Sequence, residues 1–178
     1  MVERAPNPYD FLPQQPAFHL TSDDIAEGGT IAEAHVFNGF GLTGGNSSPH
    51  LRWYGAPDNT EGYVVTVLDP DAPTGSGFWH WVVVNLPAHV SELPQDAGSG
   101  DDKLPGGFHV RNDYGTRRYD GPAPLAAPKR HRYIFTVHAL DEPLEVDADA
   151  SPAAIGFNLF FHTIARAQLI AEYEVPAS

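Results

Sequence analysis

Residues 64–87 read VVTVLDPDAPTGSGFWHWVVVNLP, two apolar runs of strand length joined by a Gly- and Pro-rich bend. Tyr63–Leu68 and Trp81–Leu86 carry β-branched residues at consecutive positions, the mark of strands buried on both faces. The bend and its edges hold Asp69, Asp71 and His80. A carboxylate beside such strands is costly to bury unless it is paired, so this placement predicts a polar site cut into the rim of a β core. Asp69 and Asp71 are two apart and share a face if the backbone stays extended, with Pro70 and Pro73 stiffening the turn. Strict alternation along the second run puts His80 with Val82 and Val84, and Trp79 with Trp81 and Val83.

A third strand is predicted over Arg132–Leu140, alternating at Tyr133, Phe135 and Val137. At its start His131 and Tyr133 share a face, with Arg132 opposite. Ala17–Thr21 and the short run His50–Tyr54 read as further strands, and so does Ile31–Phe40. Between the strong strands lie about 45 residues, Pro87–His131, dense in Gly, Pro and Asp, and connections of that length are often functional. Ser151-Pro152 supplies an N-cap and an N1 proline, and Ile155, Leu159, Ile164 and Leu169 extend a helical pattern to about Ile170. Many strands and one late helix predict a mainly β fold with a helix packed at one end. Residues 1–16 read as a Pro-rich arm and 17–178 as a single domain.

Composition narrows the function. The 178 residues hold ten basic and 23 acidic side chains, a formal charge of −13, which repels phosphate backbones and anionic lipid surfaces. Nucleic-acid binding and membrane insertion are therefore not expected, and any anionic ligand needs a local pocket working against the overall field. With no cysteine there are no disulfides and no thiolate chemistry. No apolar leader opens the sequence, so a cytoplasmic location is expected. The loop Phe40–Ser48, FGLTGGNSS, lacks the Gly-Lys-Ser/Thr ending of a phosphate-binding loop and reads as a flexible connection. Two Asp, two His and a Tyr gathered at strand ends remain as the candidate site. Three uses fit them: holding a ligand, acid–base hydrolysis, or binding a divalent metal at Asp69, Asp71, His80 and His131. Neither a G-x-S-x-G elbow nor an activated serine accompanies them.

LDPDAPTGSGFWHWVVVNLP resembles one signature of the phosphatidylethanolamine-binding protein (Raf-kinase-inhibitor-like) family, and RNDYGTRRYDGPAPLAAPKRHRYIFTVHALD is similar to its second. NSSPHLRW and Phe161-His162 are weaker matches, and the bacterial branch is the most similar. The resemblance implies a large central antiparallel-rich sheet, a smaller sheet packed on it, and peripheral helices including a C-terminal one. It implies a non-enzymatic protein without cofactor, whose pocket accepts a small anion such as phosphate, acetate or phosphoethanolamine. It puts Asp69, Asp71, His80, His131 and Tyr133 at that pocket, with Pro73, Gly121 and Pro122 forming its wall. It further implies inhibition of a peptidase or kinase by protein contact, and a homodimer. Asp120 departs from the family's usual Gly and is expected to narrow or acidify the mouth, and Leu125–Arg130 departs as well. Two arrangements reconcile such an anion with the carboxylates: Asp69 and Asp71 accept from His80 and His131 and favour imidazolium, or the ligand is zwitterionic, its ammonium facing an Asp and its phosphate a His.

Overall fold

The computed structural model describes residues 4–124 and 129–176. Its strands are β1 (His19–Thr21), β2 (Leu51–Tyr54), β3 (Gly62–Asp69), β4 (Phe78–Pro87), β5 (Glu92–Leu93), β6 (Phe108–His109), β7 (His131–Leu140) and β8 (Thr163–Tyr173), with one helix, α1 (Pro152–His162). They form a five-stranded sheet in the order β6-β4-β3-β7-β8 and a three-stranded sheet in the order β1-β2-β5. Every neighbouring pair is antiparallel. The expected fold class, a large antiparallel sheet with a smaller one packed on it, is the observed one.

The Val-rich runs become β3 and β4 because each has apolar neighbours on both faces. On the inner face Val65, Val67, Trp81, Val83, Tyr133, Phe135 and Val137 join Leu20, Leu51 and Trp53 of the small sheet in one core. On the outer face Val64, Val82, Val84 and Leu140 meet Ile155 and Leu159 of α1. Tyr9 of the N-terminal arm packs on the same outer face, against Leu68 and Ile134.

Two segments differ from expectation. Ile31–Phe40 is not a strand. Its backbone groups bond to the following loop and to Pro122, with Phe37 N–H donating to Pro122 O at 3.0 Å and Asn46 N–H to Val36 O at 2.8 Å. Gly44 makes this fold-back possible, since a Cβ there would lie 2.1 Å from the Val36 carbonyl oxygen. The final helix ends at His162 rather than near Ile170, and the chain continues as β8. Ala165, Ala167, Leu169, Ala171 and Tyr173 alternate inward along β8, a period of two that closes the open edge of β7. The five-residue spacings Leu159–Ile164–Leu169 fit no helical face and carry the signal that the helical reading passed over.

The β3–β4 pairing contains a shift that positions the site. Val67 pairs with Trp81, but the next residue, Leu68, pairs with Trp79, leaving His80 as the extra residue of a β-bulge. Trp79 consequently packs with Leu68 on the outer face, and His80 turns inward beside Tyr133. Strict alternation would have placed His80 with Val82 and Val84; the bulge reverses it. A second irregularity near the other end of β4 includes Asn85, at φ 60°, whose side chain exchanges hydrogen bonds of 2.8 and 3.0 Å with the Leu144 backbone. Asn85→Ala is expected to destabilise the fold by about 1–3 kcal/mol, from two lost hydrogen bonds and left-handed strain, and Asn85→Gly by less because glycine keeps the φ without cost. Urea denaturation of both variants checks the order.

Candidate functional site

Three buried carboxylates, each 3% exposed, stand around one end of the large sheet: Asp69, Asp71 and Asp120. Each is satisfied by its own donors. Asp69 Oδ1 accepts from the Asp71 backbone N–H at 2.8 Å, and its Oδ2 lies 2.7 Å from His131 Nδ1. Asp71 accepts from Arg132 three times at 2.9 Å: the backbone N–H and Nε on Oδ2, and a terminal NH2 on Oδ1. Burial alone would raise the Asp71 carboxyl, but the Arg132 hydrogen bonds and charge outweigh it and hold the group below its ordinary range. Asp120 takes Asn46 Nδ2 (2.9 Å) and Arg118 Nε (3.1 Å) on Oδ1, and Asn112 Nδ2 (3.0 Å) and the Thr116 hydroxyl on Oδ2.

The histidines do not share these carboxylates as expected. His80 Nδ1 donates to the Asp120 backbone carbonyl at 2.8 Å, not to an aspartate side chain, and Asp71 is committed to Arg132. Only the Asp69–His131 half of the expected scheme is present. Burial lowers the His80 pKa below the usual imidazole value, Asp69 opposing the shift without cancelling it, so His80 is neutral rather than imidazolium at pH 7. Because carbonyl and carboxylate oxygens only accept, Nδ1 carries a proton in both rings, and the Nε2 of neutral His80 is a lone pair. Neither Nε2 has a hydrogen-bond partner among the described residues.

Tyr133 completes the centre. Its ring meets the His80 ring edge-to-face at 5.3 Å, and its hydroxyl is buried with no hydrogen-bond partner among the described residues. Burial first, and the Asp69 charge second, hold its phenol far above the ordinary range, so it remains a proton donor. Tyr114 and Phe78 wall the other sides of His80, at 5.6 and 5.2 Å between ring centroids. Tyr114 is anchored by its hydroxyl on the Gly121 carbonyl at 3.0 Å.

Of the residues expected at the wall, Gly121 and Pro122 are buried and Pro73 is exposed. Gly121 packs where no Cβ fits, since one would lie 2.1 Å from the His35 carbonyl oxygen. Asp120, expected to acidify the mouth, turns into a cage of four donors and fixes the loop instead. The expectation for Leu125–Arg130 falls partly on residues 125–128, outside the described residues; Lys129 Nζ donates to the Asp71 carbonyl at 3.3 Å. The metal reading loses its ligand set. With Asp71 held by Arg132 and His80 Nδ1 on a carbonyl, no group of three or more metal-ligating side chains converges among the described residues. Sequence reasoning missed Asn46, Asn112 and Tyr114. Asn46 lies in the loop read as flexible, yet it is buried at φ 51° and its Oδ1 accepts from Gly121 N–H at 2.8 Å.

Comparison with known proteins identifies the family and the fold. Residues 21–174 match the family described as phosphatidylethanolamine-binding protein. The chain belongs to that family. UPF0098 protein YbhB of Escherichia coli is 53% identical over 156 residues, covering 86% of this chain and 98% of YbhB. The crystal structure of E. coli YbcL, described as a member of the mammalian phosphatidylethanolamine-binding protein family, superposes with a TM-score of 0.86 at 46% identity, covering 89% of this chain and 99% of that one. A phosphatidylethanolamine-binding protein homologue of Chlamydia trachomatis gives 0.77 at 28% identity, covering 91% and 100%. A carboxypeptidase Y inhibitor, solved in complex with its cognate proteinase, gives 0.56 at 19% identity, covering 92% and 86%, a likeness of fold alone.

Buried neutral histidines make stability pH-dependent. His80, His109 and His138 all have pKa values depressed by burial, that of His138 to about 3. His109 moreover accepts the Trp81 indole N–H at its Nε2, a bond that protonation removes. A depressed folded pKa means that the unfolded chain binds the proton first, so this stability is complete above about pH 6.5 and is lost as pH falls below it. Between pH 6.5 and 5, His138 alone is expected to cost roughly 2 kcal/mol. Urea midpoints measured from pH 7.5 to 5 should fall steadily, and a flat profile would contradict neutral burial.

Proposed function

We propose that this protein binds a small phosphate- or carboxylate-type anion, including a phosphoethanolamine headgroup, in the pocket between His80, Tyr133 and His131. The observation that carries the reading is the Tyr133 hydroxyl, a buried donor with no partner, beside two imidazoles whose Nε2 atoms are free among the described residues. An unmatched buried donor costs roughly 1–3 kcal/mol, and a ligand oxygen at this point removes that cost. Asp71 and Asp120 do not forbid an anion, because each is offset by an arginine.

The tautomers set the chemistry of binding. In its neutral ring His80 Nε2 accepts rather than donates, so an oxyanion facing it must bring a proton or capture one there. A phosphate monoester monoanion, a carboxylic acid or a carboxylate with proton uptake all meet that condition. Hydrolysis is not supported: among the described residues neither His80 nor His131 hydrogen-bonds a serine or threonine hydroxyl that could serve as nucleophile. Inhibition of a peptidase gains support only from fold likeness to a distant inhibitor, so ligand binding is the function proposed.

Tyr133→Phe keeps the ring packing and removes only the orphan hydroxyl. It is expected to weaken binding of phosphoethanolamine by roughly 10- to 100-fold, the worth of a hydrogen bond to a charged group, while thermal stability holds or rises. Calorimetric titration checks this, with His80→Ala expected to abolish the heat. Unchanged affinity in Tyr133→Phe would sink the assignment.

A further inference from the structure

The outer face of the large sheet carries a second cavity, of about 270 Å³, roofed by the N-terminal arm and the near end of α1. Leu68, Trp79, Leu159 and Phe160 give it an apolar body. His80, Asp69 and Tyr133 are not among its lining residues; they belong to the inner face, so this is a separate compartment. At about 270 Å³ it stands just below the range of roughly 300–1,000 Å³ typical of small-molecule pockets.

Among the polar residues of the lining, which include Gln15 and Ser76, His138 and Arg166 have buried atoms with unused hydrogen-bonding capacity. His138 is 3% exposed; its Nδ1 is 3.3 Å from the Thr163 hydroxyl and its Nε2 is buried without a partner. Among the described residues Arg166 has a buried Nε without a partner, and its terminal nitrogens reach only the Pro13 carbonyl, each at 3.4 Å. Its guanidinium carbon lies 5.6 Å from the centre of the Tyr9 ring. The other seven arginines all lie within 4 Å of a carboxylate. Arg166 makes no ion pair among the described residues, in a chain with 23 acidic side chains, and no carboxylate lines the cavity. A half-buried cation with a buried, unpaired Nε in an apolar cleft complements one negative charge on an apolar ligand.

We infer that this cavity is a ligand site for a small monoanionic amphiphile, an apolar chain or ring bearing one carboxylate. The carboxylate pairs with Arg166 and accepts from His138 Nε2, in the tautomer where the Thr163 hydroxyl donates to Nδ1. The apolar body lies between Trp79, Leu68 and Leu159, with Phe160, 57% exposed, closing the rim.

Decanoate is the probe and decanol its uncharged counterpart, both titrated calorimetrically into the full chain. Gly156 lines the cavity at a helical position where an added Cβ meets nothing within 4 Å, so Gly156→Leu fills the space without backbone strain. The unaltered protein should bind decanoate at least tenfold more tightly than decanol. Gly156→Leu should weaken decanoate about tenfold or more. Arg166→Met should remove the preference for decanoate while leaving decanol within about twofold. Saturating inorganic phosphate should leave decanoate affinity unchanged. No binding of decanoate, equal binding of decanol, indifference to both substitutions, or competition by phosphate would each overturn the proposal.

Discussion

A carboxylate removed from water must find donors, and three of them crowd one end of the large sheet. Asp69 holds the turn after β3 through the Asp71 N–H and holds the start of β7 through His131. Asp71 fastens the same turn to Arg132, one residue further along β7. Asp120 gathers donors from Asn46, Asn112, Thr116 and Arg118, which ties two long loops together over the end of β4. Residues that would otherwise be free loop therefore become the rigid wall behind His80. Removing one partner of a buried charged pair typically costs about 3–5 kcal/mol, so these contacts shape the pocket rather than ornament it.

Much of this was legible in the residues. Consecutive β-branched positions mark β3 and β4 because strands covered on both faces leave no polar side to show. Asp69, His131 and Tyr133 could be placed together because alternation along β3 and β7 is uninterrupted at those points. His80 could not be placed by alternation, since a bulge adds one residue and reverses its face, and no local signal in FWHW announces it. Asp120 looked like an added charge because its four donors come from two stretches of chain, one of them 74 residues away. The helix–strand change at Thr163 was missed for a different reason: an edge strand of small residues shows its period faintly unless it is tested for two as well as for 3.6.

The same sheet offers two chemically different faces at the positions where its polar groups escape pairing. On the inner face the orphan among the described residues is a phenol donor beside the neutral His80 imidazole, a set suited to an anion that carries a proton. On the outer face the orphans are a guanidinium and an imidazole within apolar surroundings, a set suited to an amphiphile. A β-strand presents alternate residues to opposite sides, so β7 contributes Tyr133 to one and His138 to the other without either disturbing its neighbour.

At the proposed anion site the neutral imidazole is His80, with its proton on Nδ1 and a lone pair on Nε2. Calorimetric titration with methylphosphonate at pH 7.5, in buffers of different ionisation enthalpy, counts the protons exchanged on binding. After subtraction of the ligand's own ionisation, the protein is expected to take up about one proton, with affinity rising as pH falls towards 6. Binding without proton uptake, at an affinity independent of pH, would contradict a neutral His80.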